Sequence, residues 1–177
     1  MRRILAALGS ACVLACPTAR AADRPGPDLA LEYGFARITN GDGLDLPLGG
    51  AVSLGFPVTE RVAVAADVRW NHKSESGASL NVTSFQAGPR ITFREGGTGP
   101  YLQLLAGAGR ASVGSLGGSF EGAAATKFCV MPGVGVDVRL AEHVRLRFGG
   151  DFRLTFLEGE DEKDVLAHAG VVFDFGR

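Results

Sequence analysis

The sequence predicts an all-β chain: a closed, antiparallel, up-and-down transmembrane β-barrel of eight strands. Three observations carry this reading. Apolar residues alternate with charged or very small ones over eight segments, the connections between segments alternate between short and long, and an export signal opens a chain with no later apolar run of helical membrane-spanning length. The alternation is plainest from Val144 to Phe156. There the even positions are mostly large and apolar, and the odd ones carry Arg145, Arg147, Asp151, Arg153 and Thr155. Successive side chains of a strand point to opposite faces, so one face is greasy and the other ionic.

At the N-terminus Arg2 and Arg3 precede an apolar run from Ile4 to Ala15, and Ala19-Arg20-Ala21 offers small residues for signal-peptidase cleavage. The expected organisation is a signal peptide over 1–21 and one barrel domain over 22–177. Val13-Leu14-Ala15-Cys16 also resembles a lipoprotein signal with Cys16 as the acylated residue, but Pro17 and the better site at Ala19-Arg20-Ala21 favour cleavage after Ala21. Cleavage there removes Arg2, Arg3 and Arg20, leaving 15 basic against 19 acidic residues. That balance argues against a nucleic-acid partner. Cys12 and Cys16 leave with the signal, and the single Cys129 can form no internal disulfide.

The eight segments run Leu29–Thr39, Gly49–Phe56, Val62–Asn71, Asn81–Phe93, Tyr101–Ala111, Lys127–Leu140, Val144–Phe156 and Leu166–Phe175. Pro57–Arg61, Arg94–Pro100 and Ala141–His143 are short connections. Asn40–Leu48, His72–Leu80, Ser112–Thr126 and Leu157–Val165 are longer and rich in Gly, Ser and acids. Tight turns on one side and extended loops on the other are the habit of outer-membrane barrels. One parity collects the apolar residues, among them Leu31, Val52, Val68, Leu104, Val134 and Phe173. The other collects Glu32, Asp67, Arg69, Arg90, Asp137, Arg139, Arg145, Arg147, Asp151, Arg153, His168 and Asp174. Aromatics near segment ends (Phe56, Trp70, Phe93, Tyr101, Phe148 and Phe156) are expected in interfacial girdles. In the fifth segment Leu105 breaks parity, and Arg110 faces outward, which is tolerable only near the headgroups.

Alternation alone does not say which face is wet. A lipocalin-like soluble barrel that binds a small apolar ligand puts the apolar face inside, whereas a membrane barrel puts it on lipid. The export signal, the loop asymmetry and the glycines interleaved with charges (Gly34, Gly55, Gly88, Gly107, Gly133 and Gly135) favour lipid, because a narrow lumen of long ionic side chains needs small neighbours.

At this point the mature chain from Leu29 onward resembles the small eight-stranded outer-membrane β-barrel proteins of Gram-negative bacteria, the OmpA/OmpX-type superfamily. Its most specific element is the closing stretch Ala169-Gly170-Val171-Val172-Phe173-Asp174-Phe175. With Val171, Phe173 and Phe175 on one parity, it resembles the terminal signal read by the barrel-assembly machinery, although Gly176 and Arg177 follow where the family usually ends on the aromatic. The resemblance implies insertion into outer-membrane lipid with both termini periplasmic.

An eight-stranded barrel has an interior just wide enough for side chains or one small ligand. The ionic parity is therefore expected to form a lumenal network of Glu32, Asp67, Arg69, Arg90, Asp137, Arg139, Arg145, Arg147, Asp151, Arg153 and Asp174, because an unpaired buried charge carries a desolvation penalty of several kcal/mol. A plug that rigidifies the barrel is the plainer outcome, and a narrow low-conductance channel opened by exchanged pairs is the functional one. The acidic run Glu158-Gly159-Glu160-Asp161-Glu162-Lys163-Asp164 lacks EF-hand spacing and reads as a solvated loop tip. His143 falls in a short turn, and neither His72 nor His168 has a nucleophile at a recognisable spacing, so no catalytic site is expected. Gly107-Ala108-Gly109 lacks the third glycine of a dinucleotide motif. No cofactor or metal is expected. The expected function is a non-enzymatic outer-membrane protein whose loops meet a still unidentified extracellular partner.

Overall fold

The computed structural model describes residues 26–39, 44–75, 78–93, 98–115, 125–156 and 162–176. The expected signal peptide, Cys16, Arg177 and the acidic residues Glu158, Glu160 and Asp161 lie outside the described residues. Eight strands follow one another: β1 (Asp28–Ile38), β2 (Leu44–Pro57), β3 (Val62–Glu75), β4 (Ala78–Thr92), β5 (Gly99–Ser115), β6 (Ala125–Ala141), β7 (Val144–Thr155) and β8 (Glu162–Asp174). Each pairs antiparallel with the next, and β8 pairs with β1 from Asp28↔Asp174 to Ile38↔Asp164, closing the sheet without an edge. Closure leaves no strand with an unpaired edge, the condition for a sheet to sit in hydrocarbon. Among the described residues no helix is long and apolar enough to cross a membrane.

The two faces are the reverse of a soluble barrel. Leu31, Phe85, Leu104, Val134 and Phe148 are exposed on the outer face, while Asp67, Arg90, Asp137 and Arg147 are buried inside. The lipocalin-like alternative is thereby corrected: its apolar interior would require these two sets exchanged. Turn chemistry at the termini end fits its sequence. The β2–β3 turn closes with Val58 N–H on Val62 C=O at 2.8 Å, and the Thr59 hydroxyl accepts the Arg61 and Val62 N–H groups at 3.3 and 3.0 Å. In β4 and β6 the outward Pro89 and Pro132 interrupt the ladders. Pairing skips from Ala87↔Ala106 to Arg90↔Gln103, and from Val130↔Leu154 to Gly133↔Asp151, as expected where a residue has no N–H to donate.

The strict alternation of long and short connections is not kept. Most strands run further toward the loop end than alternation suggested, and β3 pairs with β4 up to Glu75↔Ala78, so only positions 76 and 77 separate them where a loop over His72–Leu80 was expected. Likewise Glu162, Lys163 and Asp164 belong to β8 rather than to an acidic loop tip. Polar strand ends that overhang an apolar belt resemble loops in composition, because alternation of hydrophobicity stops where lipid stops.

Candidate functional site

The inward side chains make a connected ionic lattice through the lumen and one separate ion pair toward the loop end. At the termini end Arg145 donates to both Asp137 and Asp174, its Nε reaching Asp174 Oδ2 at 2.7 Å, and lies 3.3 Å from Asp28. Arg147, fully buried, grips Asp137 through two bonds of 2.8 and 3.1 Å and stands 3.6 Å from Glu32. Glu32 leads on to His168, whose Nδ1 lies 2.9 Å from Glu32 and whose Nε2 lies 3.2 Å from Asp151. Arg69 joins Asp151 at 3.0 Å to Asp67 at 3.1 Å. Arg90 reaches Asp67 at 3.6 Å and donates to Ser53 at 3.0 Å and Gln103 at 3.0 and 2.8 Å, and Gln103 donates in turn to Asp151 at 2.8 Å. Toward the loop end Arg153 pairs with Asp164 at 2.7 Å.

Strand alternation is why these groups meet. Asp137 and Arg147 are register partners on β6 and β7, while Glu32 and His168 come from β1 and β8, one pleat apart on the seam that closes the barrel. Every charge in the middle of the lattice has at least one opposite partner, which is what makes its burial tolerable. At the same level the Tyr101 ring sits 5.0 Å from the Arg147 guanidinium carbon and 5.4 Å from that of Arg90. The ring lies over Gly135 and Gly149, where an added Cβ would meet Tyr101 Oη at 2.5 Å. Those two glycines admit the aromatic into a crowded lumen. An apolar layer of Ala65, Leu105 and Met131 adds to the filling, and Ala36 and Leu166 form a second, packed by Leu80 and Val82.

Nine of the eleven residues expected in the lattice are brought together: Glu32, Asp67, Arg69, Arg90, Asp137, Arg145, Arg147, Asp151 and Asp174, with Asp174 only half-buried at the mouth, while Arg153 is buried in a separate pair with Asp164. Arg139 is the correction. It is exposed, its backbone N–H bonds Thr98 Oγ1 at 2.9 Å, and its register partner is the cation Arg145, so at the strand end beside the turn it turns to water. Tyr101 is a second correction, since it is a lumenal residue, 1 % exposed, and not part of a girdle. The residues not anticipated in the lattice or in that pair are Asp28, Ser53, Tyr101, Gln103, Asp164 and His168. Tyr101 and Gln103 share the parity of the inward Leu105 within the expected fifth segment, His168 lies on the ionic parity of the eighth, and Asp164 continues the parity of Leu166 and His168 beyond that segment's expected start. Val171, Phe173 and Phe175 all lie on the outward parity of β8 and its end, with Phe173 and Phe175 exposed. Cys129 is buried with its sulfur 3.0 Å from Gln86 Nε2. His72 bonds Asn81 at 2.7 Å, and His143 lies exposed in the β6–β7 turn.

A family model described as outer membrane protein beta-barrel domain matches residues 4–175, nearly the whole chain. The chain belongs to this family. The barrel is accordingly a bacterial outer-membrane protein. Among solved structures it is similar to Neisserial surface protein A, at 19% identity and a TM-score of 0.72, covering 85% of this chain and 97% of that one. It is similar to Ail, the attachment invasion locus protein of Yersinia pestis, at 17% identity and 0.59, covering 85% and 100%. The N-terminal β-barrel domain of Pseudomonas aeruginosa OprF is a third, at 18% identity and 0.53, covering 86% and 100%. At these identities the likeness is one of fold. No curated protein matches the chain in sequence.

Proposed function

We propose that this protein is a closed, non-enzymatic barrel of the outer membrane that acts through its exterior, presenting the loop-end strand extensions and loops to a partner outside the cell. The observation that carries this is the lumen itself. Arg147, Arg90 and Arg69 each bridge two or more carboxylates of different strands, Arg153 pairs with Asp164 of the adjacent strand, and Tyr101, Leu105 and Met131 fill between them. A solute path would have to break several buried ion pairs at once, at a cost of several kcal/mol each. With the interior committed to stability, the surface remains for function. That one structural relative is named an attachment invasion locus protein and another a surface protein agrees with a contact role.

In this reading the alternate Val171, Phe173 and Phe175, followed by Gly176 and Arg177, serve the barrel-assembly machinery during insertion. The testing experiment is planar-bilayer recording on purified, refolded protein. A plugged barrel yields no stepwise conductance. Discrete steps that vanish on Arg69→Gln or Asp151→Asn would establish the narrow channel instead and remove this reading.

A further inference from the structure

We infer that the outer face of β4–β6 holds a specific site for one phosphate-bearing lipid, with Arg110 as its headgroup ligand. Cross-strand register sets the rows. Phe85, Ala108 and Phe128 are partners across β4, β5 and β6, and they form the last fully apolar row of this wall before the loop end. Two residues further out on the same face come Thr83, Arg110 and Thr126, again register partners. Below lies the row Ala87, Ala106 and Val130. A guanidinium flanked by two hydroxyl-bearing residues thus stands directly above a strip whose floor is Ala108 and Ala106.

Phenyl rings flank the strip at Ala108. Phe85 and Phe128 are 59% and 55% exposed, and Phe128 stacks on Phe156 with ring centroids 5.9 Å apart, which fixes the wall on the β7 side. At Ala108 a small residue thus lies between two exposed rings, and the apolar strip beneath Arg110 continues through Ala106, between Ala87 and Val130, into the lipid-facing belt. Arg110 is exposed and no carboxylate pairs with it among the described residues, in contrast to Arg37, which lies 3.6 Å from Asp45. A guanidinium offers forked donors that match phosphate oxygens. Its position places that fork at headgroup level, because the single tryptophan, Trp70, occupies the same row through Thr83, and tryptophan marks the membrane interface. Charge complementarity with an anionic headgroup and an apolar strip beneath it together define the occupant.

Trp70 is also the reporter. It lies two strands from Arg110, about 10 Å at ordinary strand spacing. In phosphatidylcholine nanodiscs doped with a small fraction of phosphatidic acid brominated on its acyl chains, Trp70 of the wild-type barrel should be quenched at about a fivefold lower lipid fraction than by brominated phosphatidylcholine. Arg110→Gln should abolish that preference, and Arg37→Gln should leave it. Equal quenching by the two lipids in the wild type, or a preference that survives Arg110→Gln, overturns the site. Loss of the preference in both variants alike shows a diffuse attraction of the whole rim, which also overturns it. Head-group-independent quenching with a cross-linked dimer in the same discs assigns the face to a second copy of the chain. Both variants change exposed side chains, and their folding is verified by the difference in gel migration before and after boiling.

Discussion

Replacing Arg147 by Leu tests whether the lumenal lattice holds the barrel together. Arg147 makes two bonds to Asp137, approaches Glu32 at 3.6 Å and lies over the Tyr101 ring. Removing one partner of a buried pair costs about 3–5 kcal/mol, because the other charge is left uncompensated. Asp137 retains Arg145 and Glu32 retains His168, which points to the lower end, about 3 kcal/mol, and the lost cation–π contact adds about 1 kcal/mol. Urea unfolding of the protein in lipid vesicles, followed by Trp70 fluorescence, measures the loss. Asp137→Asn combined with Arg147→Leu should cost at least about 1 kcal/mol less than the sum of the two single changes, because the double variant leaves no stranded carboxylate. Arg139→Gln changes the same charge at the exposed position and should stay within about 0.5 kcal/mol of wild type. An Arg147→Leu barrel as stable as the Arg139→Gln barrel would refute the lattice as a source of stability.

The remaining predictions concern the wall and its end. Val134→Arg places a cation in the middle of the outward run of β6 and should destabilise the barrel by about 2–4 kcal/mol in the same vesicle assay. Gly149→Ala forces a methyl into the Tyr101 hydroxyl and the His168 ring, and should cost about 1–3 kcal/mol in the same urea assay. Phe175→Ala removes an exposed ring beyond the end of β8. It should lower the amount of protein assembled in the outer membrane of cells while leaving the urea midpoint of refolded protein unchanged.

Much of this architecture was legible because two-residue periodicity is physically enforced wherever one face of a strand meets lipid. Val144–Phe156 displays it so clearly that the buried positions of Arg145, Arg147, Asp151 and Arg153 follow directly, and the continuous pairing around the sheet confirms the eight segments. Two of the misplacements share one cause. Tyr101 was assigned by residue type to a girdle although its parity with Gln103 placed it inside, and Asp164 was assigned to a loop although it continues the inward set of Leu166 and His168. Local composition stood in for geometry in both cases. The closing contacts were beyond reach for a different reason. His168 meets Glu32 only because β8 returns to β1, and Gln103 meets Asp151 over Gly133 of the intervening β6, so neither pair carries any sequence-local trace. Arg139 obeys parity and still leaves the lattice, because parity does not say where the barrel mouth lies.

The central claim is that hydrocarbon wets the apolar face of the closed sheet, and site-directed spin labelling tests it most directly. Val136 and Phe148 are register partners on β6 and β7, both outward and exposed. Nitroxides placed there in lipid nanodiscs should relax readily with dissolved oxygen and hardly at all with a water-soluble nickel chelate. Ready relaxation by the chelate, or immobilised labels shielded from both reagents, would contradict the account.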